Sequence, residues 1–234
     1  MSTGRHAPMR RYEIKYALTA VDAAILEARL SALLRRDENA RGGVYEIRSI
    51  YFDDAGDTHL REVEGGLSDR CKWRIRFYDR NPQYICLERK HKRNAMTLKE
   101  SCPIDRTQMD ALLRGLSVEG GQPLLDDFLA ARSARGYRPC ITIDYQRIPF
   151  VYAAGDVRIT LDSQIACSAD FSNPFGCTGP SFPVPGRVLE VKYTDFLPDF
   201  IRLALQINHL SPTAFSKYAL GRKNLHYMRT GENL

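Results

Sequence analysis

At 234 residues the chain suits one large domain or two small ones, and it can bury a substantial core. A hydrophobic content of 44% with 26% charged residues is ordinary for a soluble globular protein. No apolar run reaches the roughly 18 residues that span a bilayer, and the first residues carry no apolar signal core. The formal net charge of +6 favours an anionic partner, without choosing among nucleotide, polyphosphate, nucleic acid and membrane surface. The six cysteines form no Cys-x-x-Cys pair, which speaks against a zinc site. The expectation is a reduced, cytoplasmic protein.

Residues 1–9 read as a disordered tail, basic from Arg5 to Arg11. Residues 10–228 read as a single domain and 229–234 as a second tail. A first strand is expected at 11–17. Thr19, with Asp22 three residues on, then predicts a capped helix to about Arg36, with Ile25, Leu26, Leu30, Leu33 and Leu34 on one stripe. Gly42-Gly43 breaks the chain before a strand rich in β-formers at 44–53. Residues 54–68, rich in Gly and acids, read as loop with a short helical turn. Two strands follow at 71–78 and 84–92, joined by the turn signal Asp79-Arg80-Asn81-Pro82, and a fifth spans 97–104. Helices are expected at 105–115, capped by Asp105, and at 123–135. Strands at 139–152 and 156–163 come next, then an irregular loop at 168–186 and a strand at 187–193. Pro198 is placed in the first turn of a helix ending near His209, and a last helix spans 215–228.

The strands alternate in a way that points to function. Lys72, Arg74, Arg76 and Tyr78 share one face of their strand, and Trp73, Ile75 and Phe77 the other. Glu88 and Lys90 alternate with Ile85 and Leu87 on the next strand. The same pattern recurs in Glu13 and Lys15, in Tyr145 and Arg147, in Arg158 and Asp162, and in Glu190 and Lys192. Eight such antiparallel strands can close into a barrel with a charged lumen, covered outside by amphipathic helices. The expected fold class is therefore α+β, mainly β: an eight-stranded tunnel. Ions leave water at a cost of several kcal/mol each, so crowded cations require acids, water or an anion. A linear triphosphate or longer polyphosphate fits a slim tunnel better than a duplex does, and no nucleic-acid partner is expected.

The segments RYEIKY, YEIRSIYFDD, KWRIRFY, LERKHKRNAMTLKES, DYQRIPF, VRITLD, LEVKY and FSKYALG occur in that order. Together they resemble the VTC domain, the polyphosphate polymerase domain of the vacuolar transporter chaperone family, within the triphosphate tunnel metalloenzymes related to CYTH hydrolases. The resemblance covers roughly residues 10–225. It implies transfer of the γ-phosphoryl of ATP to a growing polyphosphate chain with a divalent metal, Mn²⁺ or Mg²⁺. It places catalytic cations on Arg74, Arg76, Lys90, Arg147 and Lys217, and further ligand contacts on Lys15, Lys99, Tyr145 and Ser216. Arg158 and Lys192 join them through the alternation. The metal carboxylate falls on Glu190, with Glu13 as a second candidate. Each carboxylate also has a plainer reading as the ion-pair partner of a lysine. Hydrolases of the superfamily begin Glu-x-Glu-x-Lys, and here Arg11 stands in the first position. A triphosphate hydrolase or cyclase, and a non-catalytic polyanion-binding module, stand as alternatives. The chain is expected to have neither the SPX sensor domain nor the membrane helices of eukaryotic members. The resemblance therefore does not imply sensing of inositol phosphates or direct polymer export, and a membrane partner protein stands among the expected partners. His91 and His209 read as packing or surface residues, and Trp73 and Phe77 as core.

Overall fold

The computed structural model describes residues 12–93, 96–176, 179–207 and 210–232. The expected N-terminal tail, Cys177, His209 and residues 233–234 lie outside them. The strands are β1 (Tyr12–Leu18), β2 (Arg35–Arg36), β3 (Tyr45–Asp53), β4 (Asp69–Tyr78), β5 (Ile85–Arg93), β6 (Met96–Ile104), β7 (Arg138–Tyr152), β8 (Val157–Ser168), β9 (Phe182–Pro183) and β10 (Arg187–Tyr193). The helices are α1 (Ala20–Leu33), α2 (Thr58–Glu64), α3 (Arg106–Leu113), α4 (Pro123–Arg135), α5 (Asp199–Ala204) and α6 (Lys217–Thr230). This is the mainly β, antiparallel class read from the sequence. Two compact units interleave along the chain. The first takes Met1–Tyr45, Gln146–Ser163 and Pro185–Phe215; the second takes Glu46–Tyr145, Gln164–Val184 and Ser216–Leu234. β7 and β8 each run from one unit into the other.

In the first unit β10 lies between β1 and β8, antiparallel to both. Its apolar residues Leu189 and Val191 join Leu18, Ile159 and Leu161 in a core closed by Leu26 and Leu30 of α1 and Ile201 of α5. The Thr19 hydroxyl accepts from the Asp22 amide at 3.1 Å, and the Asp22 carboxylate accepts from the Thr19 amide at 2.9 Å, completing the expected capping box. The apolar stripe of α1 is narrower than expected, because Ile25 and Leu33 are exposed. The helix stops at Leu33, short of Arg36. Arg35 and Arg36 pair with Val151 and Phe150 instead, and the Arg36 guanidinium stacks 4.2 Å from the Phe150 ring centroid. Pro198 precedes α5 in extended geometry and does not enter its first turn, and α5 ends at Ala204.

In the second unit β3, β4, β5 and β6 run antiparallel in that order, with β7 beside β3. One face carries Ile50, Phe52, Trp73, Ile75, Phe77 and Leu87, buried under Met109 and Leu112 of α3 and Leu125 and Phe128 of α4. Trp73 and Phe77 are thus core, as read. Phe128 meets both Phe52 and Trp73, at centroid distances of 4.9 and 5.1 Å. Asp105 caps α3 through the Gln108 amide at 2.7 Å, and Pro123 opens α4.

The short helical turn expected within 54–68 is α2, whose early amides, His59 and Leu60, donate to the buried Asp53 carboxylate at 3.0 and 3.2 Å. The cap therefore comes from the end of β3, four residues ahead of the position where a cap is usually sought. β8 continues to Ser168, beyond the expected end at 163, and β9 pairs with it inside the expected loop. The buried Arg48 ties that loop down. It pairs with Asp144 through two bonds of 2.7 and 2.6 Å, and its Nη1 donates to the carbonyls of Pro174 and Gly176. Finally, α6 packs closely onto β7. A Cβ at Gly221 would lie 2.4 Å from Ile143 Cδ1 and 3.1 Å from Ile141 Cδ1, so a larger residue there would force those side chains to shift.

Candidate active site

The face of the second unit opposite its core carries a concentration of charge. Strand register sets the charged side chains in rows. Lys72 of β4 stands opposite Lys90 of β5, which stands opposite Lys99 of β6. Like charges directly opposed across strands are destabilising without a counter-ion. In the next row Tyr51 of β3, Arg74 of β4, Glu88 of β5 and Ser101 of β6 are in register, and in the one after it Ser49 faces Arg76.

Glu88 is the hub. It is 3% exposed. Arg74 Nε donates to its Oε2 at 2.6 Å, Lys99 Nζ lies 2.7 Å from its Oε1, and Arg76 Nη1 lies 3.7 Å from Oε2. Burial alone would favour the neutral acid, but Arg74, Arg76 and Lys99 hold the carboxyl well below the usual carboxylate range. Arg74 also donates to the Tyr51 hydroxyl at 3.0 Å. Arg76 donates to Ser49 at 3.1 Å and to the Tyr145 hydroxyl at 3.2 Å. Burial raises the Tyr51 phenol, yet Arg74, Arg76 and Lys72 outweigh it and bring the group down to about 8.

The start of α6 completes this face. Ser216 is its N-cap, accepting from the Ala219 amide at 3.3 Å and from Lys72 Nζ at 3.2 Å. Lys217 Nζ lies 4.6 Å from the Tyr145 ring centroid. Arg74, Arg76 and Lys99 thus meet the Glu88 carboxylate, while Lys72 and Lys90 stand in the adjacent row and Lys217 lies against Tyr145. Arg forks and Lys point charges of this kind grip phosphoryl oxygens.

The first unit holds a second charged face with a different balance. Lys15 stands opposite Glu190, and Glu13 opposite Lys192. Lys15 Nζ lies 3.0 Å from Glu13 and 3.4 Å from Glu190; Lys192 Nζ lies 2.6 Å from Glu190 and 3.9 Å from Glu13. Arg147 binds the buried Asp162 through bonds of 2.6 and 2.7 Å, and Arg158 pairs with Asp37. Four cations meet four carboxylates, so this face is close to neutral. Burial opposes the charge on Glu190, but Lys192, Lys15 and Arg147 hold its carboxyl well below the ordinary value. The hydroxyl of Thr160, opposite Glu190 in register and 2% exposed, has no hydrogen-bond partner among the described residues.

The residues expected to serve the site therefore fall in two groups. Arg74, Arg76, Lys90, Lys99, Tyr145, Ser216 and Lys217 come together in the second unit. Lys15, Arg147, Arg158, Lys192, Glu13 and Glu190 come together in the first. Sequence reading left out Ser49, Tyr51 and Lys72 as site members. Ser49 and Tyr51 sit two residues apart on β3, so a period-two reading anchored on Arg74 and Arg76 could have found them. His91 is a surface residue, 2.7 Å from Asp69.

For a metal, the described residues hold no group of three or more His, Cys, Asp and Glu side chains arranged as ligands. Glu13 and Glu190 share Lys15 and Lys192. Two carboxylates with an orphan hydroxyl beside them suit a hard cation that brings most of its ligands as water and phosphate oxygens, the habit of Mg²⁺ and similar ions.

Two solved structures resemble the chain. A candidate adenylate cyclase from Bacillus halodurans matches with TM-score 0.52 and 15% identity, over 78% of this chain and 80% of its own. A candidate adenylyl cyclase from Hippeastrum, described as having a dominant triphosphatase activity, matches with TM-score 0.50 and 15% identity, over 96% of this chain and 98% of its own. No curated protein matches the sequence. At this level of identity the likeness is one of fold. Residues 10–226 match the VTC domain, and the chain belongs to that family. Among the described residues no helix is long and apolar enough to cross a membrane.

Proposed function

We propose that the chain is an ATP-dependent polyphosphate polymerase, moving the γ-phosphoryl of ATP onto a growing polyphosphate chain. The observation that carries this reading is the cluster of Arg74, Arg76 and Lys99 on the buried Glu88, with the lysine row of Lys72, Lys90 and Lys99 beside it on the same face. Phosphoryl transfer asks a protein for position and charge neutralisation more than for covalent chemistry. Arg74 and Arg76 are held by Glu88, Tyr51, Ser49 and Tyr145, so their forks are set before substrate arrives. The lysine row of Lys72, Lys90 and Lys99 supplies point charges along the neighbouring phosphates. A terminal phosphate is an anionic nucleophile at neutral pH, and no general base is required. Glu190, with Glu13, is the pair that would hold a divalent cation, Mn²⁺ or Mg²⁺. Such an ion, when bound, neutralises phosphate charge. Lys15 and Lys192, now paired with those carboxylates, would be freed by such an ion to meet anionic oxygens.

Triphosphate hydrolysis is the second reading. It is favoured by the likeness of fold, over nearly the whole chain, to the Hippeastrum protein described as a triphosphatase. The two readings differ only in the acceptor, polyphosphate or water. Purified protein incubated with ATP, Mn²⁺ and a polyphosphate primer separates them. Lengthened chains on a gel, with ADP released and little free phosphate, are expected. ADP and free phosphate in equal amounts with no lengthening would establish the hydrolase. Binding of triphosphate with no turnover under any divalent metal would leave a polyanion-binding module.

A further inference from the structure

α6 is fastened along one side by polar ties. Tyr218 OH donates to Asp53 Oδ2 at 2.5 Å, from a ring that is 2% exposed. One turn on, Arg222 Nη1 donates to that same Tyr218 oxygen at 3.2 Å, and its Nη2 donates to Asp57 Oδ1 at 2.6 Å. Lys223 Nζ lies 3.0 Å from Glu64 at the far end of α2. Asp53 is also the group that receives the early amides of α2. One buried carboxylate therefore holds two helices, and α2 and α6 are locked to each other through it. α6 also rests on Ile141 and Ile143 at Gly221.

Tyr218 also reaches the phosphate face. Its ring packs 5.0 Å from that of Tyr51, which accepts from Arg74, and Lys72 Nζ lies 5.2 Å from its centroid. Lys72 in turn donates to Ser216, the N-cap of the same helix. Burial, Cys140 and Asp53 all raise the Tyr218 phenol, so it stays a donor throughout the working pH range. The chain from Asp53 through the Tyr218 hydroxyl to Ser216 and Lys217 is continuous.

We propose that Tyr218 and Arg222, anchored by Asp53 and Asp57, are positioning residues for the phosphate site: they hold α6 in the one placement that brings Ser216 and Lys217 to Lys72 and Tyr145. The proposal rests on reading that face as a triphosphate site. It assigns a functional role to residues that touch no phosphate.

The test uses inorganic tripolyphosphate as the probe and the full chain as the protein. Affinity is measured by calorimetry for wild type, for Tyr218→Phe, for Asp57→Asn, for Ser216→Ala/Lys217→Ala, and for each latch variant in that double-substituted background. Hydrogen bonds to charged groups make a loss of roughly ten- to a hundredfold the expectation for Ser216→Ala/Lys217→Ala. Tyr218→Phe keeps the ring and removes only the hydroxyl; about tenfold weaker binding is expected from a fold that circular dichroism shows intact. Asp57→Asn acts at the partly exposed end of the latch and guards against a Tyr218→Phe protein that fails to fold. In the background lacking Ser216 and Lys217 side chains, neither latch substitution should weaken binding further by more than about twofold, because a residue that acts through others shows no additive effect once they are gone. Wild-type affinity in both latch variants would overturn the proposal and leave the site reading standing. So would losses that add in full in the double-substituted background. Wild type that fails to bind tripolyphosphate would overturn the site reading, and the latch with it.

Discussion

Arg74 and Glu88 stand opposite each other on β4 and β5, and the guanidinium Nε meets the carboxylate Oε2 at 2.6 Å inside a face that otherwise gathers cations. The pair keeps the empty site from repelling itself apart. Substrate phosphates would share Arg74 with Glu88, so the carboxylate is also a competitor for the group it stabilises. Removing one partner of a buried ion pair typically costs about 3–5 kcal/mol, because the other charges lose their counter-ion. Glu88→Gln should therefore melt well below wild type at low salt, and tripolyphosphate should restore more stability to it than to wild type. The measurement is melting temperature with and without ligand at two salt concentrations. A variant as stable as wild type, with an equal ligand shift, would show that Glu88 is not the counter-charge of this face.

Arg74→Ala and Glu190→Gln should both lose chain synthesis, for different reasons. Arg74→Ala removes a fork from the phosphates, and the loss of one such contact commonly costs about 10² to 10³ in rate. Added Mn²⁺ should not restore it. Glu190→Gln keeps the shape and the bond to Lys192 but removes the negative charge, so residual activity should climb as Mn²⁺ is raised. Rates measured across a Mn²⁺ titration decide this. Equal metal dependence in the two variants would return Glu190 to the plain role of an ion-pair partner.

Tyr51 gives the site a pH signature. Its folded pKa of about 8 lies below the ordinary phenol value of 10.0, through Arg74, Arg76 and Lys72 acting against burial. As pH rises through about 8 the hydroxyl becomes an anion next to Arg74 and opposes bound phosphate. Tripolyphosphate affinity should therefore fall above pH 8 in wild type more than in Tyr51→Phe, which shares every other titration including that of the ligand. Parallel pH profiles for the two proteins would remove Tyr51 from the account.

Asp37 governs part of the acid limit. It is 8% exposed, and its carboxyl is lowered from 3.8 to about 2, because the Asn39 amide and Arg158 outweigh burial. A depressed folded pKa means that its stabilisation is present above the unfolded value and is lost as pH falls through the folded one. The window is thus about pH 4 to 2, and at 1.36 kcal/mol per unit the contribution is about 2 kcal/mol. Asp37→Asn should be less stable than wild type by about that amount at neutral pH, with the gap closing toward pH 2. Denaturant unfolding at several pH values measures it, and a constant gap would refute the assignment.

The period-two alternation carried the reading of the strands, and it carried the membership of the cationic face. Where it stopped, local backbone or distant side chains were responsible. β8 seemed to end at 163 because Gln164 adopts a positive φ of 50°, which breaks the alternation although the strand goes on to Ser168. The bounds of α2 were not legible because its cap, Asp53, belongs to the preceding strand. The excess of cations was read as spread over the whole sheet. In fact it is concentrated around Glu88, while Lys15 and Lys192 are matched by Glu13 and Glu190, a balance set by register and invisible in composition. Arg48 gave no sign of its role, since its partners Asp144 and Pro174 are about a hundred residues away or more.

The joining of α2 and α6 through Asp53 orders events during synthesis. Asp53 and α2 leave the ribosome early, whereas Tyr218 is separated from Asp53 by 165 positions and emerges after every strand of the sheet. Until it arrives, the cationic face lacks Ser216 and Lys217, and Lys72 lacks the hydroxyl it donates to. A growing chain can fold its strands before this face is complete, and a phosphate site there would be finished by the docking of α6.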